Sequence, residues 1–195
     1  MVHLRLLLLL FVVCVITILP SACGGGYTPR PAGYYRIDFP EKSYRLFDSL
    51  PPFVFDIPGY AVMERVNKAD SGFEWWNIAF PAYNATIYLT YSRVTGNLNT
   101  FVGDARQMTY AHTQKATSIE EVPFSDRGRA SYGMVFKVKG DVATSVQFYA
   151  TDSLNHFLRG ALYFPVAPNQ DSLAPVVDFF TKDIERIVQT LRWRP

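Results

Sequence analysis

Residues Ala85, Ile87, Leu89 and Tyr91 alternate with Thr86, Tyr88, Thr90 and Ser92. Alternation with a period of two places every second side chain on one face of a strand, so this stretch buries one face and presents the other. A helix cannot satisfy it. The same period returns at Met134, Phe136 and Val138, at Val142, Thr144, Val146 and Phe148 beyond "KGD", and at Leu158, Gly160, Leu162 and Phe164 beyond "TDSLN". Three such runs joined by tight reversals predict an antiparallel meander.

Two stretches break the period. Leu98, Phe101, Ala105, Met108 and His112 recur at spacings of three and four, the apolar stripe of a helix with Asn97 as its N-cap. Leu173, Val176, Val177, Phe180, Ile184, Ile187, Val188 and Leu191 form a longer stripe, in a terminal helix expected to begin near Asp171 or Ser172. Earlier in the chain, "FVFDIP" (53–58) and residues 61–66 read as strands. "FEWWNIAF" (73–80) is apolar on both faces, as a strand covered on both sides would be. In a strand, Trp75 and Trp76 project to opposite faces; both are expected in the core, the alternative being an aromatic anchor for a partner or a glycan. The expected fold is therefore α+β: an antiparallel sheet, its C-terminal part a three-strand meander, covered by a middle helix and a long C-terminal helix. This order of elements resembles the Mog1/PsbP-like sandwich, a likeness of pattern that implies no shared activity.

With 49% hydrophobic and 18% charged residues the chain is a folding one, and its 195 residues suit one domain. A formal net charge of +2, with the signs mixed, gives no basic stripe for nucleic acid.

The N-terminus is a different material. After Arg5, residues 6–19 are apolar except for Thr17, and Ser21, Ala22, Cys23 and three glycines follow. The run is shorter than the ~20 residues of a membrane-spanning helix and reads as the apolar core of an export signal. Small residues directly before a cysteine resemble the lipobox of bacterial lipoproteins, which implies removal of residues 1–22 and acylation of Cys23. Residues 23–33 then form a tether, flexible at Gly24, Gly25 and Gly26 and stiffened by Pro29 and Pro31. Residues 34–195 form the single α+β domain.

Chemistry is sparse. His112 lies on an apolar stripe and His156 opens a strand; neither has metal-ligand neighbours. Asp152, Ser153 and His156 lie close together, but in a stretch that reads as a hairpin turn rather than a nucleophile elbow. No phosphate loop, dinucleotide-binding glycine pattern, CxxC or HExxH occurs. "DSL" at Asp48, Asp152 and Asp171 resembles the O-glycosylation site of exported Bacteroidota proteins.

The stretch "YTPRPAGYYRIDFPEKSY" is similar to the N-terminal signature of the gliding-motility lipoprotein GldD family of Bacteroidota, through Tyr27, Pro29, Arg30, Pro31, Gly33, Tyr34, Arg36, Asp38, Pro40 and Tyr44. The resemblance implies a lipid-anchored envelope protein of the gliding and type IX secretion apparatus, working beside other gliding or secretion lipoproteins as a noncatalytic assembly or stabilising subunit. It implies no cofactor beyond covalent lipid, such as palmitate, on Cys23, and no small-molecule substrate. Acidic residues that mark surface export are missing after Cys23, which favours a periplasm-facing anchor, on the outer rather than the inner membrane. Candidate partner-binding residues are Arg30, Tyr34, Arg36 and Asp38 on the arm and Trp75 or Trp76 on the body. Alternatively the arm folds back on its own domain as an edge strand, with Asp38 paired to an arginine. A glycan-binding or hydrolytic envelope protein is the second reading.

Overall fold

The computed structural model describes residues 37–49, 52–66 and 72–194. Cys23, Arg30, Tyr34 and Arg36 lie outside them, as do residues 1–22 and 23–33, read from the sequence as an export signal and a tether.

The described residues form ten strands and two α-helices. They are β1 (Tyr44–Phe47), β2 (Phe53–Pro58), β3 (Val62–Val66), β4 (Phe73–Phe80), β5 (Ala85–Arg93), α1 (Leu98–Tyr110), β6 (Ala116–Asp126), β7 (Ser131–Gly140), β8 (Val146–Thr151), β9 (His156–Tyr163), α2 (Gln170–Thr190) and β10 (Arg192–Trp193). Seven strands make one sheet in the order β3-β4-β5-β9-β8-β7-β6, antiparallel at every step. Strands β1, β2 and β10 make a second, small sheet.

The alternation in β5 works as expected: Ala85, Ile87, Leu89 and Tyr91 are buried against α2 and the small sheet, with Thr86 and Thr90 on the other face. Beside them lie Trp76, Ile78 and Phe80 of β4, Phe148 of β8, and Leu158 and Leu162 of β9. Helix α2 closes this core with Phe180, Ile184, Ile187 and Val188, and β2 adds Phe53, Phe55 and Ile57. Each such side chain contributes about 1.5–3 kcal/mol through burial. Phe180→Ala would open a cavity under the helix at a cost of about 3–5 kcal/mol. Gly160 sits directly across from Phe148, whose ring covers it; an added Cβ would run into that ring.

Several boundaries differ from the sequence reading. Helix α2 starts at Gln170, and its cap is Asn169, whose side chain accepts from the Ser172 N–H at 3.0 Å. Asn97 does not cap α1 through its side chain, which instead accepts from the Thr95 N–H. Met108 is exposed, and α1 buries Ala105 and Thr109; His112 lies in the turn beyond the helix. Val142 and Thr144 belong to the β7–β8 connection, since β8 opens at Val146. Strand β6 was not expected. It is an edge strand carrying Glu120, Glu121 and Pro123, features that guard a sheet edge against further pairing but hide the strand in the sequence.

Candidate functional site

Asp183 lies on the inner side of α2 and is fully buried. Its carboxylate accepts hydrogen bonds from Lys42 Nζ at 2.7 Å, Tyr60 OH at 2.6 Å and Tyr44 OH at 2.9 Å. Lys42 also donates to the Phe179 carbonyl at 2.9 Å and stands 3.2 Å from the centre of the Phe179 ring. Phe39 stacks on the same ring, its centroid 4.3 Å from that of Phe179 at 13°. Burial, reinforced by the neighbouring carboxylate, pushes the Tyr44 hydroxyl up to about 12 and the Tyr60 hydroxyl further still. For Lys42 burial lowers the pKa, and the bond to Asp183 only partly opposes it. The arrangement is a clamp: it fixes the first described residues onto the terminal helix. Its groups satisfy one another.

From residue 37 onward the chain packs on its own domain through Phe39, Lys42 and β1, which pairs antiparallel with β2. Asp38 contributes its backbone carbonyl, which accepts from Tyr83 OH at 3.3 Å.

A second polar cluster closes the C-terminus. His156 Nδ1 and Tyr91 OH are 2.8 Å apart, and the imidazole stacks on Trp193 at 5.1 Å and 7°. The imidazole also bonds to the Arg194 backbone. Burial depresses the His156 pKa. Asp152 is spoken for by the backbone: one oxygen accepts from the N–H groups of Leu154, Asn155 and His156. Burial raises its pKa, but those three donors outweigh burial and the net shift is downward. Ser153 is exposed at φ +70° in the turn, so Asp152, Ser153 and His156 make a hairpin and not a catalytic relay.

The surface with capacity to spare is the other face of the large sheet. Cross-strand register sets out its rows: Phe73, Ser92 and Phe157; then Trp75, Thr90 and Arg159; then Asn77, Tyr88 and Ala161; then Ala79, Thr86 and Tyr163. Helix α1 covers the β7–β8–β9 side of this face, where Val94, Ala105, Phe136, Tyr149 and Phe157 form a small second core. Glu121 of β6 braces it, accepting from Arg106 at 2.7 Å and Tyr110 at 2.8 Å. The outer rows of β4 and β5, from Asn77 and Tyr88 to Ala79 and Tyr163, have no helix over them among the described residues: Tyr88 is 47% exposed, and its ring lies 5.9 Å from that of Tyr163.

Between α1 and the sheet runs a groove of about 270 Å³, lined by Phe73, Trp75, Phe101, Met108, Phe157 and Arg159, with Asp104 also on its wall. Trp75 is half-buried there, whereas Trp76, at 4% exposure, packs edge-on to Phe47 and Phe53 and belongs to the core. Trp76 therefore drops out as a contact for a partner. Among the lining residues Asp104 is the single carboxylate, and a two-carboxylate hydrolysis has no second member. No cluster of three or more metal-ligating side chains occurs among the described residues, and none of their helices is long and apolar enough to cross a membrane.

The described residues form an α+β domain with a clamped N-terminal root and a partly exposed aromatic sheet face. The sequence pattern of the gliding motility lipoprotein GldD family matches residues 24–193, nearly the whole chain and the residues that form both the clamp and the open face. The chain belongs to that family, and so to the lipoproteins of gliding motility. No curated protein matches it in sequence. Among solved structures it is similar to the solution structure of cyanobacterial PsbP (CyanoP) from Synechocystis sp. PCC 6803, at 10% identity and a TM-score of 0.45, over 85% of this chain and 98% of the other.

Proposed function

We propose that this chain is a noncatalytic assembly or stabilising subunit of the gliding and type IX secretion apparatus, held at the periplasmic side of the cell envelope by acyl lipid on Cys23. The observation that carries the reading is the division of labour in the described domain. Its buried polar groups, Asp183 and His156 foremost, are consumed in internal contacts, while an aromatic half-sheet has no helix over it among the described residues. Exposed contiguous aromatic surface of this kind marks interaction sites. Arg30 on the tether and Tyr34 and Arg36 just beyond it extend the candidate contacts ahead of the clamped root. The glycan-binding alternative rests on Trp75 with Asp104 in one groove.

The test is metabolic labelling with a fatty-acid probe in wild type and Cys23→Ala, followed by crosslinking from native membranes. Label lost in the variant, with a defined envelope protein crosslinked to the wild type, supports the anchored subunit. Label retained in the variant removes Cys23 as the anchor. Binding of cell-wall glycan fragments, abolished by Trp75→Ala, would favour the alternative.

A further inference from the structure

Arg159 is the odd residue of the open face. It projects from the centre of β9, half-buried beneath α1, and its guanidinium donates to the Gln147 side-chain oxygen at 2.9 Å. Gln147 passes the chain on to Thr144, and Thr144 to His112, all neutral groups. No carboxylate lies within 4.0 Å of Arg159 among the described residues. The acids nearest in the fold are otherwise placed. Glu121 is taken by Arg106 and Tyr110, and Asp104 stands exposed on α1, where water solvates it. A guanidinium carries five donors, and a partly desolvated one gains more from a carboxylate than a fully hydrated one does.

The groove beside it is apolar. Phe73 and Met108 line it while 40% and 48% exposed, so an apolar visitor would cover side chains that now face water. At about 270 Å³ it falls just below the range of about 300–1,000 Å³ usual for small-molecule sites. It is also continuous with the flat rows of Asn77, Tyr88 and Tyr163. A small molecule would fill the groove and leave the face bare. A polypeptide covers both, and aromatic, Met and Arg side chains are the types enriched where proteins dock.

From this we infer that the groove between α1 and the sheet seats an apolar side chain of a partner protein, and that Arg159 pairs with a carboxylate next to that side chain in the partner's chain. The inference rests on the assembly-subunit reading and names the chemistry of its partner. Asp104 on the rim sets the polarity: it repels an acid at the outer end of the segment and admits a lysine or arginine there.

The probe is a random heptapeptide library selected on the full mature lipoprotein in detergent, and the strongest peptide is then synthesised and titrated by fluorescence anisotropy. The expected result is enrichment of Leu, Ile or Phe adjoining Asp or Glu. Arg159→Gln should weaken the synthetic peptide at least about tenfold, and selection on Arg159→Glu should replace the acid by Lys or Arg. Met108→Glu, at an exposed position that leaves the core untouched, should abolish binding; Leu46→Glu, at an exposed position on β1 of the small sheet, should leave it unchanged. Absence of enrichment, enrichment without an acid, or binding indifferent to both Arg159→Gln and Met108→Glu overturns the inference, as does displacement of the peptide by dodecanoate alone. If it fails while an envelope protein still crosslinks to the wild type, docking uses another surface and the subunit reading stands; if that capture fails too, both fall.

Discussion

Removal of the Asp183 carboxylate should be the most damaging single polar change in the domain. Asp183→Ala strips three donors of their acceptor, Lys42, Tyr44 and Tyr60, and leaves an ammonium group in a site where its side chain is only 25% exposed. Hydrogen bonds to charged groups contribute about 1.5–3 kcal/mol each, but members of one network do not add. Breaking a buried pair by deleting one partner costs about 3–5 kcal/mol, chiefly because the other charge is stranded. We therefore expect a loss of about 3–5 kcal/mol from a domain whose total stability is of the order of 5–15 kcal/mol. Lys42→Met in the Asp183→Ala background removes the stranded charge, so the double variant should be more stable than the sum of the two single losses predicts, by about 1–3 kcal/mol. Urea unfolding of the four proteins closes the cycle. A loss below about 1 kcal/mol in Asp183→Ala, or strict additivity in the cycle, would refute the clamp as a coupled unit.

The same network predicts alkaline behaviour. Tyr44 titrates near 12 in the folded state against 10.0 unfolded, so its contribution is complete below pH 10 and is lost as the pH rises toward 12. Stability curves of wild type and Tyr44→Phe, measured by urea unfolding, should converge over that window. At the acid end, His156 is held neutral by burial, with its pKa below the ordinary 6.5; its contribution is present above pH 6.5 and is lost as the pH falls through the depressed value. His156→Gln should flatten that limb, and Trp193 fluorescence, from the ring stacked on His156, should report the same transition. Gly160→Ala drives a Cβ into the buried Phe148 ring and should cost about 1–3 kcal/mol, read as a lowered thermal midpoint, with Phe148→Leu partly restoring it.

How much of this could be seen in the sequence follows from where each signal comes from. Strand β5 and helix α2 carry their periodicity in their own residues, and both were legible nearly to the end. The start of α2 was missed by one or two residues because Asp171 and Ser172 are themselves cap-forming types, while the working cap, Asn169, stands just before them. Strand β2 was legible as "FVFDIP", but β6, β1 and β10 are short, charged or proline-bearing, and tertiary pairing rather than local pattern makes them strands. The clamp joins Asp183 to residues more than a hundred positions earlier, beyond the reach of any local pattern. One clue was available: Asp183 directly precedes Ile184, three residues after Phe180, on the apolar stripe where an acid needs a partner. The half-open face had a clue as well, in the thin stripe of α1, which buries only Ala105 and Thr109.

All three exposed "DSL" serines, Ser49, Ser153 and Ser172, lie on turns or a helix end, where a modifying enzyme can reach them. If they carry glycan, each should show a mass increment that the corresponding Ser→Ala change removes.

The position of the clamp has a mechanical side. Force applied to the chain ahead of residue 37 enters the body through Phe39 and Lys42 before it reaches β1, and from there it passes to Phe179 and Asp183 on α2. The load path runs into the long helix and the small sheet, on the side of the core opposite the aromatic rows. A motility protein built this way can be pulled by its root while the surface it offers to others keeps its shape.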